Sequence, residues 1–115
     1  MKHEFEAVLL RIHLNEDDRS GDRPLHEAIL DTCRTLDIAG VTGFRALTGF
    51  HASEVIHRKR AFSDSSAPVV LTIIDTEENI RRLQQELAPI LADALVLCSR
   101  VRAIRLAPDT PRKTD

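Results

Sequence analysis

The chain has 115 residues, of which 43% are apolar and 30% charged, and its formal net charge is −2. This length suits one compact domain with a single core, and the composition excludes disordered and fibrous classes. The near-neutral balance excludes the overall basic field that drives non-specific binding to nucleic acid or anionic membrane, so any anion site has to be local.

The N-terminal Met1-Lys2-His3-Glu4-Phe5-Glu6 has no apolar core of signal-peptide length, and no run approaches the roughly 20 apolar residues of a membrane span. A cytoplasmic location and no membrane insertion are therefore expected. Cys33 and Cys98 lie in apolar patterns without C-x-x-C spacing, which predicts two reduced core cysteines rather than a disulfide scaffold.

From Ala7 to Leu14, Val8, Leu10, Ile12 and Leu14 alternate with Ala7, Leu9, Arg11 and His13, the pattern of a strand. A polar, turn-rich linker, residues 15–22, follows. Pro24 suits the first turn of a helix, so a helix is predicted to begin near Arg23. Its stripe is Leu25, Ala28, Ile29, Cys33 and Leu36, and Gly40 behind its end is read as the residue of the tight turn. Residues 41–50, with Phe44, Leu47 and Phe50, predict a second strand interrupted by Gly43 and Gly49.

The stretch Gly49–Arg60 then carries His51, His57, Arg58, Lys59 and Arg60 in a connection too long for a simple hairpin, which marks it as a binding element. Val69–Ile74 is a nearly continuous apolar run, as in a strand covered on both sides. Asp75 or Thr76 can cap the next helix. Glu77 and Glu78 complement its positive end, and Ile80, Leu83, Leu87, Ile90, Leu91 and Ala94 form its stripe. Pro89 is expected to kink that helix and displace the turn around Ile90–Ala94. Leu95–Leu106 closes the domain as a strand carrying Arg100, Arg102 and Arg105, with Arg100 and Arg102 on one face. Residues 1–106 thus read as a single domain and 107–115, poor in apolar residues, as a disordered tail.

Strand, helix, strand, strand, helix, strand is the ferredoxin-like βαββαβ order of an α+β domain, with a four-stranded antiparallel sheet and two helices on one face. The other face stays open while its strands remain apolar, which predicts a homo-oligomer.

Arg11-Ile12, Pro24-Leu25-x-Glu27-Ala28-Ile29, Ala39-Gly40-Val41-Thr42, Gly49-Phe50-x-Ala52-Ser53 with Ile56-His57, and Pro68-Val69-Val70 followed by Asp75 resemble a known family. It is the PII-like family catalogued as domain of unknown function number 190, and the resemblance spans about Val8 to Arg105. The resemblance implies a homotrimer whose open sheet faces meet at the threefold axis, with the long loop as the counterpart of the PII T-loop. It further implies adenine nucleotides in clefts between subunits, and a partner transporter or enzyme that reads the loop. The chain departs from the pattern in two places. Ala92-Asp93-Ala94-Leu95 offers no glycine for a phosphate loop after the second helix, and His51 stands where the resembling sequences carry glycine.

The expected function is a regulatory protein binding a small anionic metabolite, an adenine nucleotide first, through His51, His57, Arg58, Arg60, Arg100 and Arg102. The alternatives are an interaction module without a metabolite and a CutA-like metal-handling trimer. No enzyme activity and no cofactor are expected: Ser53, His57 and Asp64 sit in a long loop without the rigid turn and oxyanion hole a nucleophile needs. The five histidines form no tight cluster with metal-ligand spacing, so no metal site is expected. RNA binding is excluded because the first and third strands lack the aromatic platform that stacks bases.

Overall fold

The computed structural model describes residues 2–47, 67–91 and 94–106. Its elements are β1 (Lys2–Asn15), β2 (Arg19–Ser20), β3 (Arg23–Pro24), α1 (Leu25–Thr35), β4 (Gly40–Arg45), β5 (Pro68–Asp75), α2 (Glu77–Leu87) and β6 (Leu95–Leu106). The main sheet has the order β4-β5-β1-β6 and every pairing is antiparallel. This is the predicted ferredoxin-like α+β architecture, with one addition. The polar linker closes a two-residue hairpin between β2 and β3, turning at Gly21, whose φ of 63° suits a residue without Cβ.

β1 alternates because one face is packed: Val8, Leu10, Ile12 and Leu14 are buried under the helices. Across the ladders, Ile73 faces Leu10 and Leu71 faces Ile12, so β5 adds its alternate residues to the same layer. Ile29 and Cys33 of α1 and Ile80, Leu83 and Leu87 of α2 close it from above. Fully burying one such aliphatic side chain contributes about 1.5–3 kcal/mol, so this layer carries most of the fold.

Several local expectations are corrected. α1 begins at Leu25 with Pro24 as its N-cap. The left-handed residue after it is Asp37, at φ 57°, while Gly40 already belongs to β4. A Cβ on Gly40 would lie 3.1 Å from Ile74 Cγ2, so the glycine serves close strand packing rather than a turn. Pro89 does not kink α2. The helix stops at Leu87 and the chain turns there, with Ile90 N–H and Leu91 N–H both donating to the Leu87 carbonyl, because a proline ring cannot follow a continuing helical turn. β1 starts at Lys2, earlier than its apolar run, because Lys2–Ala7 pairs with Val101–Leu106 in a ribbon beyond the end of β5. Thr48–Phe50 of the expected second strand lie outside the described residues.

The open face combines Leu9, Val70, Phe44, Leu95 and Leu97 around the centre of the sheet, as the ladder partners dictate. Phe44 is 58% exposed and Leu97 45% exposed. Cys98, expected in the core, is exposed, whereas Cys33 is buried. β6 is an edge strand lying beside α2 rather than beneath it, and that leaves its helix-side positions uncovered.

Candidate functional site

Two clusters bring charge to the edges of the sheet. The first lies between α2 and β6, where Val8, Ile80, Arg81, Gln84, Cys98 and Arg100 help to line a groove of about 250 Å³. Thr76 caps α2 by accepting from the Asn79 N–H at 3.3 Å, which sets Glu77 in the first turn and aims it at β6. Arg100 donates to Glu77 Oε1 at 2.7 Å, and Arg81, one turn along the helix, donates to Oε2 at 3.0 Å. The Arg100 hydrogen bond, assisted by Arg81, holds the Glu77 carboxyl below the usual carboxylate range. All three side chains are solvent-facing, so the cluster contributes little to stability. Chemically it is two guanidiniums already bridged by one carboxylate, with an apolar floor beside them.

Arg102 stands on the same face as Arg100, two positions further along β6 and opposite Glu6 of β1. His51, His57, Arg58 and Arg60 lie outside the described residues. The structure therefore brings Arg100 and Arg102 to one face of one strand and joins Arg100 to Glu77 and Arg81, which the sequence reading did not assign to the site. The Glu77–Arg81 spacing of four residues was the available signal; its extension to Arg100 depends on the fold.

The second cluster stands at the root of the connection 48–66. Arg45, the last residue of β4, grips Glu16 at the end of β1 with a fork, Nε to Oε2 at 2.8 Å and Nη2 to Oε1 at 3.0 Å. Glu16 N–H donates to the Ala67 carbonyl at 2.9 Å, and Ala46 N–H donates to the Pro68 carbonyl at 2.8 Å. The Arg45 hydrogen bond holds the Glu16 carboxyl down. Both stems of the long connection are thereby tied to the end of β1.

Asp75 fixes the opposite end of β5. Its carboxylate, 6% exposed, accepts from Thr76 N–H at 2.6 Å, Asn79 Nδ2 at 3.0 Å and Ala39 N–H at 2.8 Å. It couples the start of α2 to the connection between α1 and β4, and so positions Glu77 over β6. Among the described residues, no three His, Cys, Asp or Glu side chains gather as metal ligands would. Among the same residues, no helix is long and apolar enough to cross a membrane.

The fold and the sequence both have known relatives. A protein of the UPF0166 group from Aquifex aeolicus is 36% identical over 80 residues, 69% of this chain and 76% of that protein. A UPF0166 protein of Methanocaldococcus jannaschii is 24% identical over 87 residues, 76% of this chain and 81% of its own. Among solved structures, the apo form of CPII from Thiomonas intermedia, a nitrogen regulatory PII-like protein, superposes with a TM-score of 0.63 at 15% identity. That match covers 92% of this chain and all of CPII. CPII bound to ADP, AMP and acetate matches with a TM-score of 0.63 at 16% identity, over 88% of this chain and 91% of that one. At these identities the likeness establishes a shared fold. The model of the DUF190 family, described as "Uncharacterized ACR", matches residues 7–103, and the chain belongs to that family.

Proposed function

We propose that this chain is a PII-like signalling protein without enzymatic activity. It forms a homotrimer through the open sheet face and binds a small anionic metabolite, an adenine nucleotide first, in clefts between subunits. The observation that carries this reading is the placement of Arg100 and Arg102 on one face of an edge strand, beside an open groove, in a PII-like subunit. An edge strand is where a second subunit can approach, and paired guanidiniums match a phosphate or carboxylate. The fold likeness to CPII, whose solved complex contains ADP and AMP, points to the same ligand class. In this reading His51, His57, Arg58 and Arg60 of the connection 48–66 contribute to the same ligand, and the Glu16–Arg45 fork holds the stems of that connection. A partner transporter or enzyme would read its conformation.

A second reading, an interaction module with no metabolite, is favoured by Glu77. Its carboxylate already occupies Arg100 and Arg81, as a bound anion would. The two readings separate in a calorimetric titration of ADP, AMP and ATP into protein whose mass in solution is known. Metabolite binding predicts heat that saturates at about one nucleotide per chain, is weakened by Arg100→Ala with Arg102→Ala, and is strengthened several-fold by Glu77→Gln, which frees both guanidiniums. No heat from wild type or from Glu77→Gln leaves the module.

A further inference from the structure

The open face carries an unusual charge pattern. Ladder partners share a face, so Leu9, Arg11 and His13 of β1 stand with Val70, Thr72 and Ile74 of β5. On the other side of β1 the same face continues through Leu95, Leu97 and Ser99, and beyond β5 through Gly40, Thr42 and Phe44. Arg11 sits in the middle, between Thr72 and Leu97, and is exposed. Among the described residues, no Asp or Glu stands on this face, and none of the ion pairs involves Arg11. Every described carboxylate of the sheet, Glu4, Glu6 and Asp75, belongs to the opposite face.

This pattern creates a conflict once the face is covered. Its apolar surround favours burial, but a guanidinium taken out of water without a counter-charge costs several kcal/mol. A closed symmetric assembly with meeting faces also brings equivalent residues at the face centre towards the axis, so each copy adds like charge. A hydrophobic partner of different sequence would leave that charge unmatched, and a second copy offers no described carboxylate to match it.

We propose that, where copies of this chain meet through their open faces, their Arg11 side chains jointly hold one small multivalent oxyanion of the phosphate, sulfate or polycarboxylate class. The site rests on the self-association given under Proposed function and is incomplete in one chain. It differs from the intersubunit clefts in stoichiometry: one anion per assembly, against one nucleotide per chain.

The test uses the full-length protein with its mass measured by light scattering. Sulfate, phosphate and citrate are each compared with sodium chloride at matched ionic strength in thermal unfolding and in calorimetric titration. The expected result is an assembly whose midpoint rises by at least about 2 °C at saturating anion beyond the chloride control, with heat saturating at one anion per assembly. Arg11→Leu, which keeps bulk and removes charge, is expected to remain assembled, lose the anion dependence and leave the ADP titration as in wild type. Arg11→Gln repeats the measurement if the leucine variant does not fold. An assembled wild type that responds to the oxyanions no more than to chloride overturns the site alone. So does an Arg11 variant with the full anion response, or saturation at one anion per chain. A monomeric mass overturns both the site and the assembly it rests on.

Discussion

Asp75 offers the sharpest test of how the fold holds its site. Its carboxylate is 6% exposed and accepts three hydrogen bonds, from Thr76 N–H, Asn79 Nδ2 and Ala39 N–H. Asp75→Ala leaves all three donors without their acceptor in a half-buried corner. An unsatisfied buried donor costs roughly 1–3 kcal/mol, and water reaches some of them, so a total loss of about 3 kcal/mol is expected. With a urea m-value of about 1.5 kcal/mol/M for a domain of this size, the midpoint should fall by about 2 M with m unchanged. Asp75→Asn keeps an oxygen for Thr76 and Asn79 but turns an NH₂ towards Ala39 N–H, and should lose about half as much.

The same carboxylate sets an acid limb. Burial pushes its pKa up, but the hydrogen bonds from Asn79, Thr76 and Ala39 outweigh burial and hold it below the usual range. A depressed folded pKa gives stability that is fully present above the unfolded value, about 3.9, and is lost as pH falls through the folded one. Stability measured from pH 6 downwards should therefore decline less steeply below about pH 4 in Asp75→Asn than in wild type. An alanine variant within about 0.5 kcal/mol of wild type, or an asparagine variant with the wild-type acid limb, would refute the reasoning.

Two other predictions address the surface. Cys98 is exposed while Cys33 is buried and its thiol is pushed up to about 11, so a disulfide reagent at pH 8 should titrate one thiol per native chain and two after unfolding; a native count that survives Cys98→Ser would overturn the assignment. Leu97→Lys puts a second cation directly across the ladder from Arg11 on the open face and should lower the mass in solution towards that of one chain without loss of helical signal; an unchanged mass would mean that the copies meet elsewhere.

The order of elements was legible because burial writes directly into periodicity: Val8, Leu10, Ile12 and Leu14 recur every second residue, and Ile80, Leu83 and Leu87 at helical spacing. What escaped were features decided by neighbours distant in the chain. Cys98 has the apolar flanks of a core residue, yet it lies on an edge strand beyond the helices. Pro89 suggests a kink with a further helical turn over Ile90–Ala94, whereas the helix ends at Leu87 and does not resume within the described residues. Asp75 was read as a cap, and its bond to Ala39 required the fold. At the site, the common face of Arg100 and Arg102 followed from strand alternation, while the Glu77 bridge and the Glu16–Arg45 fork join positions that no local pattern connects.

The register of β1 also has a consequence for biosynthesis. This strand pairs with β5 and β6, the last two strands of the sheet, and with no strand nearer in sequence. A ribosome releasing the chain from its N-terminus therefore delivers the apolar run Ala7–Leu14 first and its partners last. Until Val101 has emerged, that run has no complete ladder on its β6 side, and before β5 and α2 follow, α1 alone can shield it. Formation of such distant pairs is slow, and an unpaired apolar strand is a site for association between nascent chains. Proteolysis of chains arrested at successive lengths should find β1 fully protected only after β6 is clear of the exit tunnel.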